Sequence, residues 1–183
     1  MTSSVVKDWF EDEFFKLSPE IQSLHLNGGK LSGAIVVEYG NGVAGFLGRR
    51  LARILNIPSQ GEHRFSVNIS HHKDGLHWDR LFNESTEMKS VFEPVGTVKN
   101  GYWLERTGSL HIELTVEISR GGWYWKIVGY RMLGLKLPKW LFPKSEAYKY
   151  IENGKYRFYV AFSIPIIGKL VSYTGLLNIS EAK

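Results

Sequence analysis

The chain of 183 residues is 43% apolar, 14% aromatic and 22% charged, and it contains no cysteine. This composition is typical of a single domain spanning residues 1–183 with a sizeable core, and it argues against two full domains and against disorder. The missing thiols exclude disulfides, Cys-ligated metal sites and thiolate catalysis. The formal charge of +5 is spread along the chain and is expected to be ordinary solubility charge, with a nucleic acid or an anionic membrane surface as the alternative partner.

Two helices are predicted in the first third of the chain. Ser18 and Pro19 form a helix start, and Asn-Gly-Gly at 27–29 ends that helix. In the second helix the apolar residues follow helical spacing, and three arginines lie largely on the polar side. We therefore expect its apolar face to pack against the rest of the fold. The apolar positions are Val43, Phe46, Leu47, Leu51, Ile54 and Leu55, and the arginines are Arg49, Arg50 and Arg53.

The period of the apolar residues changes from 3.6 to 2 at Glu62, which predicts antiparallel hairpins from there onward. The first hairpin turns at 71–74. If Ser70 and Gly75 close it, Val67 lies opposite Trp78 and alternate residues share one face of the sheet. This face consists of His63, Phe65, Val67, Ile69, Leu76, Trp78, Arg80 and Phe82.

A second hairpin has the strongest local signal. Residues 110–119 alternate strictly between apolar and polar, and the Gly-Gly pair that follows supplies the positive φ of a two-residue turn. Folding about that pair sets Ile118 opposite Trp125 on one face and Glu117 opposite Lys126 on the other. Both faces agree under one register, which favours this pairing.

A third hairpin is predicted over 158–179, where two alternating runs flank a turn. Shorter strands are expected at 33–39, 86–92 and 101–106, for a total of eight or nine strands with two or three helices. Local connections and one-sided alternation favour antiparallel pairing, and so wide a sheet curls or closes. The predicted fold class is therefore α+β, mainly antiparallel β, as a strongly curved sheet or barrel with packed helices.

Arg80 is the first candidate for a binding residue. Its neighbours on the same strand face are apolar, so the guanidinium is expected to be partly desolvated and to need an acid, an aromatic ring or a ligand anion. The alternative to a ligand is a buried Arg–Glu pair, for which Glu93 is a candidate partner, or stacking on Trp78. The residues expected to bind such a ligand are Arg80, Trp78, His63, Phe82, Glu93, Trp125 and Tyr173.

Other kinds of site have weaker support. His63 is expected on the same strand face as Arg80. It is either an acid–base group or an ordinary histidine of the core or rim. The usual catalytic motifs are absent, so no residue is assigned as catalytic. Three histidines at 71–77 lack the spacing of metal ligands, and neither a metal nor a cofactor is expected. The aromatic residues lack an RNA-binding signature, which argues against nucleic acid.

Residues 133–144 interleave Leu, Trp and Phe with three lysines and two prolines. In one interpretation the apolar side chains enter a lipid or partner surface while the lysines meet anionic groups. In the other, Leu137, Trp140 and Leu141 plug the open end of the barrel. The residues expected to make a membrane or partner contact are Lys136, Lys139, Trp140 and Phe142.

The order of these patterns is similar to that of a known family. The shared motifs include FKLSPEIQSLH at 15–25, Trp-x-Arg-x-Phe at 78–82, the Leu/Pro/Trp segment at 134–143 and Tyr-x-Gly at 173–175. Over about residues 14–178, after an N-terminal extension at 1–13, the chain resembles the bacterial domain of unknown function family DUF4166. The resemblance implies no activity. It implies a stand-alone bacterial protein or an appendage of an NAD(P)-binding reductase-like chain or a membrane protein.

Three functional hypotheses follow. The first is a binding module for a hydrophobic or amphiphilic small molecule with a polar or acidic end, anchored by Arg80. The second is a small-molecule enzyme or reductase-associated domain that uses Arg80, His63 and Glu93. The third is a peripheral membrane or protein-interaction module that docks through 133–144. The missing cysteine and secretory signal favour a cytoplasmic location, with a peripheral position at the inner membrane face as the alternative.

Overall fold

The structure is a computed structural model that describes residues 4–107, 110–132 and 134–181. Leu133, the first residue of the predicted docking segment, and residues 1–3 of the predicted extension lie outside the described residues. The helices are α1 (Val5–Phe10), α2 (Pro19–Asn27), α3 (Gly42–Ile54) and two 3₁₀ helices (Glu11–Lys16 and Lys139–Leu141). The strands are β1 (Gly29–Tyr39), β2 (Gly61–His72), β3 (Gly75–Phe82), β4 (Thr86–Val95), β5 (Tyr102–Thr107), β6 (Leu110–Ser119), β7 (Gly122–Met132), β8 (Leu135–Leu137), β9 (Lys144–Glu152), β10 (Lys155–Ile164) and β11 (Gly168–Glu181).

Ten of these strands form a closed antiparallel barrel. Their order is β6-β5-β4-β3-β2-β1-β11-β10-β9-β7, and pairing between β6 and β7 closes the ring, while β8 adds to β7 outside it. Apolar–polar alternation builds the wall, because successive side chains of a strand point to opposite faces. The predicted class, mainly antiparallel β with a barrel and packed helices, is confirmed. The described residues form eleven strands, not eight or nine.

The N-terminal helices close one end of the barrel, which we call the closed end. Trp9 and Phe10 of α1 are buried and pack on Trp103 and Trp123 of the wall, with ring centroids 5.4 and 4.7 Å apart. Backbone hydrogen bonds also tie this region to the loops of that end, since the amide of Val98 donates to the carbonyl of Trp9. Residues within the predicted extension thus belong to the hydrophobic core.

Helix α3 packs in a different way from that predicted. Its buried residues are small, namely Ala44, Gly45, Gly48 and Ala52, whereas Val43, Phe46 and Ile54 are exposed. The reason is a close backbone approach: a Cβ placed on Gly48 would lie 2.0 Å from the carbonyl oxygen of Leu170 in β11. A stripe of small residues brings the helix so near the strand that the larger apolar side chains remain outside the contact.

Both predicted hairpin registers are wrong by two residues. In the β2–β3 hairpin the structure pairs Val67 with Arg80, because the chain turns tightly between His72 and Gly75. In the β6–β7 hairpin Ile118 pairs with Trp123, because the turn uses Arg120 and Gly121, both at positive φ, and not the Gly-Gly pair. A shift of two residues leaves every side chain on the predicted face, because the side-chain period is also two.

Candidate functional site: the barrel interior

The barrel encloses an apolar cavity of about 250 Å³. Its wall includes Trp78, Phe92 and Trp125, and the last two stack with ring centroids 5.5 Å apart. Away from the closed end, the cavity is lined by Leu51, Ile54 and Leu55 of α3 and by Phe142 and Pro143. Since Ile54 is 77% exposed, the cavity reaches the protein surface between α3 and residues 142–143. We call this opening the mouth.

Arg80 of β3 projects into this cavity and is held by three neighbours. Its guanidinium donates hydrogen bonds to the Ser90 hydroxyl and to the Met88 sulfur, each at 2.8 Å, and lies 3.6 Å from a carboxylate oxygen of Glu105. The side chains of Arg80 and Glu105 are only 12% and 17% exposed. The interior therefore contains an ion pair that is largely removed from water.

Lys149 of β9 is a second interior cation. Its residue is 2% exposed, and its Nζ lies 3.8 Å from the ring centroid of Trp123 and 4.1 Å from that of Trp78. Burial lowers the pKa of Lys149 well below the usual lysine value, and the nearby positive charge of Arg80 lowers it further. Among the described residues no carboxylate forms an ion pair with this amine, so aromatic rings are its main electrostatic support.

His25 of α2 is the polar neighbour of this amine. Its Nε2 lies 3.0 Å from the Lys149 Nζ, and its ring stacks on Trp78 at 5.7 Å. The Lys149 amine donates this hydrogen bond, so Nε2 of His25 is the acceptor and the ring proton lies on Nδ1. Burial, followed by the charge of Lys149, lowers the pKa of His25 well below 6.5, and the imidazole is neutral at pH 7. The charge of the cluster therefore comes from Arg80, Glu105 and Lys149.

Several polar atoms of the cavity wall have no protein partner. The Tyr156 hydroxyl, the Trp78 indole nitrogen and the Arg80 Nε are buried and make no hydrogen bond within the described part of the chain. Burial raises the pKa of Tyr156 well above 10.0, so its hydroxyl keeps its proton and is available as a donor. Tyr173, whose pKa is also raised by burial, lines the same region beside Arg80. These donors surround the cavity beside the two cations.

One known protein family matches most of the chain. The model of DUF4166, a domain of unknown function, matches residues 17–177 of the chain. The chain belongs to this family. The resemblance predicted from the sequence motifs is therefore confirmed, and a search of curated proteins finds no significant match. Within the described ranges of this DUF4166 protein, no helix is both long and apolar enough to span a bilayer.

The DUF4166 barrel places some of the predicted ligand-binding residues in the cavity and others elsewhere. Arg80, Trp78, Trp125 and Tyr173 line it, and Phe82 is fully buried behind Tyr173 with ring centroids 6.3 Å apart. These five residues therefore belong to one continuous region of the interior.

His63 and Glu93 lie outside that region. His63, near the start of β2, donates from Nε2 to the carbonyl of Ser59 at 2.7 Å and accepts at Nδ1 from Asn83 at 2.8 Å. Glu93 forms an ion pair with Arg106. The expected buried Arg–Glu pair is present, but its carboxylate is Glu105 and not Glu93. Phe92 faces inward, so strand alternation turns Glu93 to the opposite face.

The predicted membrane or partner contact residues after β7 also lie in different environments. Trp140 is 81% exposed and Leu141 is 53% exposed, so they do not plug the barrel. Phe142 instead stacks on Tyr130 with centroids 4.1 Å apart and lines the mouth. Lys136 and Lys139 are exposed.

The sequence analysis missed three residues of the polar cluster in this DUF4166 protein. Lys149 and Glu105 lie on strands β9 and β5, and His25 is supplied by α2. Glu105 had a usable signal, because it lies two residues after Trp103 and therefore on the same face of a predicted strand. His25 had a weaker one, since it shares the inward side of α2 with Ile21 and Leu24.

Proposed function

We propose that this protein is a binding module for an amphiphilic small molecule, with the anionic end at Lys149 and Arg80 and the apolar part directed toward the mouth. The observation that carries the proposal is Lys149, a buried amine beside a cavity without a carboxylate partner among the described residues. A buried cation in this state is costly, and a ligand anion would offset the cost through charge-assisted hydrogen bonds.

The balance of charge in the interior supports an anionic ligand. Two cations, Arg80 and Lys149, face one carboxylate, Glu105, so a single negative charge would neutralise the cluster. The unpartnered donors of Tyr156 and Trp78 lie on the same wall and can donate to the oxygens of a carboxylate or a similar group. The chemistry of the cluster therefore matches an oxygen-rich anionic end.

The remaining wall supports an apolar body for the ligand. Phe158, Val160 and Phe162 of β10 line one side of the cavity, and Leu51 and Ile54 line it near the surface. A volume of about 250 Å³ lies just below the range of roughly 300–1,000 Å³ that is usual for drug-sized ligands. We place this binding in the cytoplasm, since a chain without cysteine suits a reducing compartment.

Calorimetric titration with decanoate and decanol tests this proposal. The two probes share an apolar chain and differ in the charge of the head, so the wild-type protein should bind decanoate more tightly by on the order of tenfold to 100-fold. In a Lys149→Met variant that preference should fall by about tenfold or more. Lys155 is exposed at the first position of β10, and Lys155→Met is the matched control that should keep the preference.

Two results would contradict the proposal. Equal affinity of the wild-type protein for decanoate and decanol would show that the interior does not select an anion. An unchanged preference in Lys149→Met would show that the selection does not involve the buried amine.

A further inference from the structure

Large apolar side chains are exposed on three separate elements around the mouth. Helix α3 contributes Phe46 and Ile54, residues 134–144 contribute Leu135 and Trp140, and the β10–β11 turn contributes Ile166 and Ile167. Trp140 is 81% exposed and Ile166 is fully exposed. A soluble surface seldom gathers so many exposed large apolar side chains without a partner.

The fold brings these three elements to the same end of the barrel. Phe142 and Pro143 line the cavity together with Leu51 and Ile54, which joins residues 134–144 to α3. The β10–β11 turn is adjacent, since Lys144 at the start of β9 pairs with Ser163 next to that turn. The exposed apolar residues of these three elements thus surround the mouth. We call the surface formed by the three elements the docking face.

The docking face is strongly basic. Its six exposed cations form no ion pair with the described residues, and they are Arg49, Arg50, Arg53, Lys136, Lys139 and Lys144. The chain has no Asp or Glu at 39–61, 118–145 or 153–180, which include all three elements. Lys169, also near this face, is neutralised by Glu38 at 2.7 Å.

The acidic residues of the helical region lie at the other end. Glu11, Asp12 and Glu20 are exposed on the helices that fill the closed end of the barrel. Exposed charges of both signs lie at both ends, since Glu62, Glu84 and Glu87 are at the mouth end and Lys30, Arg120 and Lys155 are near the closed end. The six unpaired cations of the docking face are distinguished by their position beside the exposed apolar residues, where an extended anionic surface would attract them.

We propose that the docking face binds the surface of an anionic lipid bilayer. Trp140, Ile166 and Phe46 enter the interface, where tryptophan is favoured, and the six cations contact acidic headgroups. A bilayer is the occupant that fits, because the apolar residues lie on three projections interleaved with lysine and arginine, and a planar anionic surface contacts all of them at once.

Docking goes beyond the proposed ligand binding and does not require it. If the proposed function also holds, the docked mouth faces the hydrocarbon region, and an amphiphile can pass between bilayer and cavity without crossing water. This last step rests on the proposed function. Docking itself rests only on the exposed residues and charges of the face.

Co-sedimentation with vesicles tests the inference on the full chain. We expect binding to phosphatidylcholine vesicles that contain about 30% phosphatidylglycerol, weak binding to pure phosphatidylcholine, and loss of binding as salt is raised. A variant with Arg50, Lys136 and Lys139 replaced by glutamine should lose on the order of 100-fold in partitioning. The exposed cations Lys30, Arg120 and Lys155, replaced together by glutamine, are the matched control near the closed end and should cost far less.

Three outcomes would overturn the inference. The first is failure to bind the anionic vesicles at low salt, and the second is an equal loss in the control variant. The third is a dimer that Trp140→Ser abolishes in sedimentation velocity, which would assign the face to a second copy of the chain. A protein that binds vesicles but not decanoate would keep this inference and lose the proposed function, so the two can fail separately.

Discussion

Replacing Lys149 with methionine should raise the free energy of unfolding of the ligand-free protein by about 1–4 kcal/mol. The amine is buried against Trp78 and Trp123, and no carboxylate of the described residues forms an ion pair with it. Taking a cation out of water costs several kcal/mol, whereas cation–π contacts return about 2 kcal/mol. Methionine fills a similar volume without charge and makes favourable sulfur–aromatic contacts with the same rings. Urea denaturation gives the free energy directly.

The exposed Lys155→Met variant serves as the control for this experiment and should leave stability unchanged. If Lys149→Met lowered the free energy of unfolding, the amine would be a structural support of the barrel. That outcome would contradict its assignment as a residue kept for a ligand at the expense of stability.

The pH dependence of the free energy of unfolding, compared between wild type and Lys149→Met, gives a second test. The pKa of Lys149 is depressed in the folded state, chiefly by burial. Between that depressed pKa and the ordinary value of about 10.4, the unfolded chain binds a proton that the folded chain does not. The contribution of Lys149 to stability therefore rises with pH over this interval.

The stability gap between wild type and Lys149→Met should accordingly shrink as the pH rises from the depressed pKa of Lys149 toward about 10. The raised pKa values of Tyr156 and Tyr173 affect both proteins alike and cancel in the difference. His25 titrates below this interval, because its pKa is lowered from 6.5. A gap that stays constant over the interval would show that the pKa of Lys149 is not shifted.

Replacing Arg80 with methionine should lower the free energy of unfolding by about 3–5 kcal/mol, because Glu105 then loses its guanidinium inside the barrel. Adding Glu105→Gln should recover at least half of the loss, and the double-mutant cycle gives the coupling energy of the pair.

The exposed pair Arg64–Glu84 is a matched control for the buried pair. Its nitrogen–oxygen distance is also 3.6 Å, but its side chains are 84% and 77% exposed. Arg64→Met should therefore leave the free energy of unfolding almost unchanged. If Arg80→Met were as mild as Arg64→Met, the interior of the barrel would be well solvated, and the ion pair would not be part of a desolvated binding cluster.

The sequence was informative where an ionisable residue interrupts a regular apolar pattern. Arg80 could be found because the other residues on its strand face, Leu76, Trp78 and Phe82, are all apolar. The two-residue errors in the hairpin registers did not matter for this purpose, because they preserve the face. The partner of Arg80 could not be identified, because several carboxylates lie within a few strands and the registers of β3, β4 and β5 decide that Glu105 lies next to it.

Lys149 could not be predicted, because the pattern of β9 points the other way. The neighbouring Tyr148 and Tyr150 are aromatic, and alternation alone predicts them to face the core. In the structure they lie on the opposite face, where Tyr148 stacks on Tyr159 with centroids 5.2 Å apart. Because these stacked tyrosines lie outside the barrel, strand alternation places Lys149 inside it.

Helix α3 is a further case in which amphipathicity was misleading. The expected contact used its large apolar residues, but Gly48 and its small neighbours allow a closer approach to β11. Phe46 and Ile54 consequently remain exposed and contribute to the docking face. The sequence contained these glycines, but a single chain gives no indication of which face they bring against the barrel.

A crystal structure with bound ω-bromodecanoate tests the central claim most directly, because the anomalous signal of bromine locates the tail independently of the carboxylate. We expect the carboxylate within hydrogen-bond distance of the Lys149 amine or the Arg80 guanidinium, and the bromine toward the mouth near Ile54 and Phe142. A carboxylate bound at the surface, with the tail inserted toward the closed end or the cavity empty, would contradict the account.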